Sequence, residues 1–474
     1  MREVELAIIR GGPGGICAAI EAAKCNVQVT LIEENSRLGG QFYRRLADGF
    51  TIVDQGQLDK YYVQGAKLIT ELEQYGRKVE LMENALVWGV FPDKEVVLLR
   101  DGKTEILKAQ RLMLAEGAYD RPVPFPGWTL PGVLTAGAAL RMVKTEKVLP
   151  GGRILLAGSG PLQLLLAAYL VRAGAKVVAM LEASPLSNSW KRLPHLLGQW
   201  ELLKDGLDYL WELRKAKVPL LRGHAIVEAK GEEQVYQAIY AKVDKDWQIV
   251  PGTEKNVEVD TVITGYGLIP SVRLSRLCGC RQKWDPYLGG WIPEHDEYME
   301  TALPGIFTVG DCNGTEGAAV AAEEGRLAAI KICQELGRIT LEEASRRCSP
   351  IFKKLRGLRR FESALSNIFA IRRGLLAQIP DEVIICRCEE VTAGEIRRVI
   401  AEGMTNVNEI KALTRAGMGP CQGRMCAPII AEIVSIKTNR PVEEVGFSTP
   451  RPPIKPIPLV GVAKYKSSWE RKVE

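Results

Sequence analysis

Ile9-Arg10-Gly11-Gly12-Pro13-Gly14-Gly15-Ile16 is the stretch on which the reading of this chain turns. Before it, residues 5–9 read as a strand, apolar from Leu6 to Ile9; after it, residues 16–23 suit an apolar helix and residues 27–32 a second strand. Strand, glycine-rich turn, helix and strand make a βαβ unit of the nucleotide-binding type. In such a turn the glycines permit a tight bend, let the backbone approach a pyrophosphate and let helix pack on strand, while the helix N-terminus faces the phosphates. Gly11, Gly12, Pro13, Gly14 and Gly15 are therefore candidate nucleotide contacts. Arg10 stands where the first glycine of G-x-G-x-x-G belongs, and its charge either tightens phosphate binding or blocks the turn. Glu33 closes the second strand, placed to accept a hydrogen bond from an adenosine ribose hydroxyl.

Working outward, the same pattern recurs: a strand at 153–157, the turn Gly158-Ser159-Gly160-Pro161-Leu162-Gln163, a helix at 162–173 and a strand at 176–181. The fold class is thus α/β, with two dinucleotide-binding domains of Rossmann type. Gly158, Gly160 and Glu182 are the candidate contacts of the second site, for an adenine nucleotide that is NAD(P)H or ATP-like. Gln163 replaces its third glycine and weakens helix–strand closeness. The proline-rich connector from Arg121 to Gly132 suits a crossing between domains, since each proline removes a donor and blocks helix.

Length and composition describe an ordinary globular chain of 474 residues that divides into two to four domains. No apolar segment reaches the ~18 residues that span a bilayer, and the N-terminus lacks a basic n-region and cleavage site, which predicts a cytoplasmic location and leaves peripheral membrane association open. Seven basic residues (Lys353, Lys354, Arg356, Arg359, Arg360, Arg372, Arg373) face only Glu362 locally. Leu355, Leu358, Phe361, Leu365 and Ile368 recur among them at helical spacing, so the segment reads as an amphipathic helix docked on protein; no nucleic-acid motif accompanies the charge. Residues 341–380 are read as a basic helical linker and residues 447–474 as a proline-rich extended tail.

Eleven cysteines in a leaderless chain suit free thiols or metal ligands better than disulfides. Cys386-Arg387-Cys388 and Cys421-Gln422-Gly423-Arg424-Met425-Cys426 supply four thiolates in two close pairs, separated by 32 residues. Between the pairs, residues 393–402 and 407–412 read as helices, the first opened by a capping box of Thr392 and Glu395. Four thiolates serve either tetrahedral zinc or a [2Fe-2S] cluster, and a redox neighbour favours the cluster. Cys278 and Cys280, Cys17, Cys25, Cys312, Cys333 and Cys348 read as structural, as do His195, His224 and His295, which lie outside every motif.

A further segment, from Thr301 to Gly310-Asp311 and then Gly317-Ala318 opening a helix, resembles the flavin-contacting part of two-dinucleotide flavoproteins. There the matching Asp binds the ribityl chain and the helix N-terminus faces the flavin, which implies that role for Asp311, Gly317 and Ala318. The same resemblance implies cofactor contacts at Gly117, in Ala115-Glu116-Gly117, and at Gln41, in Gly39-Gly40-Gln41-Phe42-Tyr43-Arg44. The latter stretch holds no Cys pair of the kind disulfide reductases set against flavin, and Glu116 departs from the threonine usual there.

Taken together, the segment from Ala118 to Gly132, Gly265-Tyr266-Gly267-Leu268-Ile269-Pro270, the Asp311 segment and the cysteine module resemble the larger, FAD-containing subunit of the opine oxidase, hydrogen cyanide synthase and dye-linked proline or hydroxyproline dehydrogenase group. The module itself resembles the [2Fe-2S] domain of bacterioferritin-associated ferredoxin, which implies a cluster held by Cys386, Cys388, Cys421 and Cys426. The implied domains are FAD-binding at 1–128 and 265–340, NAD(P)-type at 129–264, and a small helical [2Fe-2S] domain at 381–446. The resemblance implies an electron-transfer subunit whose partner is a smaller FAD-containing subunit of amino-acid-oxidase type; a further implied partner is a small ferredoxin-like subunit. Substrate chemistry would then occur on the partner, and no catalytic residue is assigned here. The rival expectations are a stand-alone NAD(P)H-dependent reductase and a structural subunit with a degenerate flavin site.

Overall fold

A computed structural model describes residues 1–47, 49–50, 59–185, 199–463 and 465, so His195 lies outside the described residues. The chain forms two compact units, the first of Met1–Ala118, Pro270–Arg359 and Pro450–Glu474, the second of Tyr119–Ile269 and Arg360–Thr449.

In the first unit the parallel strands Val79–Met82, Val29–Ile32 and Arg2–Ile9 lead to the long strand Lys103–Leu114, whose last residues also pair with Ile306–Thr308. The first half of that long strand pairs antiparallel with Glu95–Arg100, which pairs with Leu86–Val90. The second half of Arg2–Ile9, from Leu6 to Ile9, and all of Val29–Ile32 are buried because their apolar residues meet helices or sheet on both faces. Helix Pro13–Lys24 follows the first turn, and helix Gly317–Glu335 packs beside it so closely that a Cβ added at Gly325 would lie 2.1 Å from the Gly14 carbonyl oxygen.

The basic segment forms helix Leu341–Ile368, and Ala344, Cys348, Ile351, Leu355 and Leu358 enter the core of the first unit. Part of its charge is answered by carboxylates of helix Gly317–Glu335: Lys354 pairs with Glu323 at 2.7 Å and Arg359 with Glu324. The proline-rich tail lies on the same unit, where the Ile454 N–H donates to the Trp88 carbonyl at 3.0 Å and Thr104 Oγ1 donates to the Gly461 carbonyl at 2.6 Å. Grouped by compactness, then, the helix up to Arg359 and the tail both join the first unit.

The second unit holds a parallel sheet ordered Leu220–Arg222, Lys176–Glu182, Arg153–Gly158, Thr261–Gly265, Val133–Thr135, with a three-stranded antiparallel sheet beside it. The cysteine module belongs to this unit. Trp128 Nε1 donates to the Ile384 carbonyl at 2.7 Å, and the Arg387 guanidinium stacks over the same indole at 5.4 Å. Helices Ala393–Ala401 and Val407–Thr414 both open with capping boxes, Thr392 with Glu395 and Asn406 with Glu409.

Candidate cofactor sites

The first turn keeps the backbone of a glycine turn although Arg10 opens it. Arg10 has φ 88°, a conformation that costs a side-chain-bearing residue on the order of 1–3 kcal/mol. Its guanidinium pairs with Glu34, which also pairs with Lys455 of the tail. Burial alone would raise Glu34, but Arg10 and Lys455 outweigh it and hold the carboxyl below the usual range. The arginine therefore neither fills the turn nor remains a bare charge.

Gly12 caps helix Pro13–Lys24, with Pro13 in its first turn and no acidic residue there. A Cβ at Gly15 would sit 2.1 Å from the Arg10 carbonyl oxygen, so strand and helix meet only over a glycine. Across from Gly12 stands Gly40, so bare backbone faces bare backbone. The buried Glu33 accepts from the Gly11 N–H at 2.7 Å with one oxygen and from the Asn35 backbone and side chain with the other, which fixes it beside the turn. Gln41 is exposed and accepts from Arg44 at 2.7 Å.

Asp311 and the Gly317 N–H are joined by a 3.1 Å hydrogen bond, so the strand end and the helix N-terminus form one corner, continued by Ala318. Burial pushes Asp311 up to about 6. Sequence reasoning missed Glu324, which accepts from the Gly310 N–H at 2.7 Å and pairs with Arg359; burial pushes it up to about 7 despite that partner. The available signal was a pair of acids inside an alanine-rich helix. Glu116 has a structural role: it accepts from the Leu274 N–H at 3.1 and 3.3 Å, capping the short helix Arg273–Leu277, and burial pushes it up to about 7 against Arg273. Gly117 takes φ 69° next to it, and its carbonyl accepts from Ser271 at 2.9 Å. The N-terminus of helix Pro13–Lys24, the buried Glu33 beside it and Asp311 at the start of helix Gly317–Glu335 fit an FAD.

The second turn repeats the plan with different surroundings. Gly158 and Gly160 take φ 155° and 111°, and the buried Glu182 accepts from Gly160 at 3.0 Å and Ser184 at 2.9 Å. Gln163 occupies the third-glycine position and donates to the Gly265 carbonyl at 3.1 Å, while its Oε1 and the hydroxyl of Tyr266 are buried without a hydrogen-bond partner. Phe369 stands where a side chain at Gly160 would point, its Cβ 4.0 Å away.

The four module cysteines associate as two pairs, Cys386 with Cys426 and Cys388 with Cys421. The hydrogen bond from Cys426 holds the Cys386 thiol down to about 5, and the Gly417 N–H adds a contact at 3.4 Å. A Cβ at Gly419 would lie 2.2 Å from Cys388 Cβ, so this loop closes on the sulfurs only as glycine. Among the described residues no three such ligands converge on one metal position. Paired thiols with backbone N–H support are the donor set of a two-iron cluster, which takes two thiolates at each iron.

The family described as pyridine nucleotide-disulphide oxidoreductase matches residues 4–325. The chain belongs to this family. A second match, the BFD-like [2Fe-2S] binding domain, covers residues 384–435 and thus all four module cysteines. Hydrogen cyanide synthase subunit HcnB of Pseudomonas protegens is 34% identical over 95% of this chain and 96% of its own length. An opine oxidase subunit of Rhizobium meliloti is 33% identical, covering 96% of this chain and 97% of that one. Among solved structures, L-proline dehydrogenase from P. horikoshii shares the fold with a TM-score of 0.70 at 23% identity, covering 98% of this chain and 80% of that one. As a member of this oxidoreductase family the chain is an FAD-dependent oxidoreductase whose cofactors are FAD and a [2Fe-2S] cluster. Among the described residues no helix is long and apolar enough to cross a membrane.

Proposed function

We propose that this chain is the electron-transfer subunit of a hetero-oligomeric dehydrogenase that oxidises an amino acid or secondary amine of proline, hydroxyproline, opine or glycine type. The observation that carries the reading is the joining, on one chain, of an FAD-type corner built on Glu33 and Asp311 with a [2Fe-2S]-binding module. FAD exchanges electrons in pairs and a [2Fe-2S] cluster singly, so the two together adapt a two-electron oxidation to one-electron carriers. This chain's residues bind and tune: the first turn and Asp311 orient the flavin, and Cys386, Cys388, Cys421 and Cys426 hold the cluster. Relatives matched over nearly their full lengths are named as subunits, which supports a partner subunit. That partner is, in this reading, a smaller FAD-containing protein of amino-acid-oxidase type, with a small ferredoxin-like subunit beside it, and the complex is cytoplasmic.

Amine added anaerobically to the chain purified with its native partner should reduce its visible spectrum, and amine added to the chain alone should not. Reduction of the isolated chain by amine would overturn the division of labour. Cys421→Ser should abolish the cluster spectrum and leave flavin content unchanged; joint loss of both would contradict independent sites.

A second reading concerns the other turn. Gly160, Glu182 and the unpartnered atoms of Gln163 and Tyr266 favour an adenine nucleotide, NAD(P)H or ATP-like, bound without hydride transfer. Equilibrium dialysis with ADP-containing ligands tests it, and no retention at millimolar ligand would remove it.

A further inference from the structure

Seven cysteines lie outside the cluster module, and two of them meet where the C-terminal ends of helices Pro13–Lys24 and Gly317–Glu335 come together. Cys25 caps the first helix, and the thiol of Cys333, in the second, hydrogen-bonds its sulfur. Arg347, from helix Leu341–Ile368, donates to Cys25 Sγ at 3.3 Å and is itself held by Glu343 and, at 3.8 Å, by Glu21. A guanidinium on a sulfur favours thiolate, the form that reacts with oxidants. The Cys333 hydrogen bond, with Arg347 assisting, brings Cys25 down to about 7, whereas burial pushes Cys17 and Cys348 up to about 11. Cys25 is 7% exposed and Cys333 fully buried, so an oxidant meets Cys25 first.

We infer that Cys25 and Cys333 form an oxidisable thiol pair, a modification site at which a hydroperoxide such as hydrogen peroxide converts two thiols into one disulfide linking these two helices. The Cys25 thiolate attacks the peroxide, forming S–O and breaking O–O, and the departing hydroxide takes a proton and leaves as water. The Cys333 sulfur then displaces the sulfenic hydroxyl, forming S–S, and its proton leaves in a second water. Two thiols lose two electrons and the peroxide gains them. Both cysteines lie in one buried core cluster, and the bond staples the helix of the first turn to the helix that follows Asp311.

Hydrogen peroxide applied to the full chain, followed by alkylation and peptide mapping, should yield a Cys25–Cys333 linked peptide that dithiothreitol reverses. Cys333→Ser should stop at a sulfenic acid on Cys25, trapped by dimedone. Arg347→Met should slow that trapping roughly tenfold, with Arg347→Lys restoring part of the rate and flavin content reporting that each variant is folded. A Cys25 thiol that survives peroxide in the wild-type chain, or one that links to Cys348 instead, overturns the assignment.

Discussion

The two glycine turns of this chain share a plan and differ in what surrounds it. Each places a helix behind a glycine N-cap and a buried glutamate, Glu33 or Glu182, on a turn N–H. At the first, the turn's neighbour is Gly40, and the residue that breaks the glycine pattern, Arg10, turns its charge to Glu34. At the second, the neighbour is the side chain of Phe369, and the residue that breaks the pattern, Gln163, is bonded into the sheet through Gly265. The first turn therefore tolerates its substitution by directing it outward, and the second absorbs its own inward. A departure from a motif thus has to be judged by where the side chain finds its partner.

The largest effect expected from breaking this comparison is at Gly15. Gly15→Ala would force a methyl against the Arg10 carbonyl, an overpacking on the order of 3 kcal/mol, and should release flavin. Gly160→Ala has room for its methyl and loses stability only through its backbone, at φ 111° and ψ 171°, by about 1–3 kcal/mol, so flavin content should be unchanged. Flavin quantitation with urea unfolding of both variants checks this; equal flavin loss would mean the turns are not independent.

The buried carboxyl at Glu116 sharpens it next. Its folded value of about 7 lies above the ordinary 4.5, so the fold is favoured with Glu116 protonated; that contribution is full below about 4.5 and is lost as pH rises through 7. Glu116→Gln should flatten the fall in unfolding free energy between those pH values, by on the order of 3 kcal/mol, read by urea unfolding at each pH. An unchanged profile would place the titration elsewhere, at Asp311 or Glu324, whose shifts run the same way. Asp311→Ala should weaken FAD by about 1.5–3 kcal/mol through loss of a charge-assisted hydrogen bond, read by flavin titration of the apoprotein. Arg10→Gly should change stability least: relieved backbone strain of about 1 kcal/mol offsets a partly exposed ion pair worth a similar amount.

Much of this was legible in the sequence because the signals are local. Both βαβ units, the Asp311 corner and the Thr392 capping box rest on residues a few positions apart, where spacing alone constrains geometry. What was not legible depends on long-range partners. Arg10 could be seen as a departure, but Lys455, which shares its partner Glu34, lies 445 residues away (455 − 10) in the tail. Glu116 read as a carboxylate added to a flavin site, whereas its backbone partner at Leu274 gives it a capping role. Glu324 and Arg359 sit on different helices, and nothing in either local pattern pairs them. The basic run read as an amphipathic helix docked on protein, but the carboxylates that answer its charge lie on another helix and could not be named from its own pattern.

The contrast between the turns is tested most directly by an anaerobic visible spectrum of the chain with its native partners, recorded before and after NADH and then after a proline-like amine. The account predicts no bleaching by NADH and reduction of both flavin and cluster by amine. Rapid bleaching by NADH would contradict it, making the second turn the electron entrance and the chain a pyridine-nucleotide reductase.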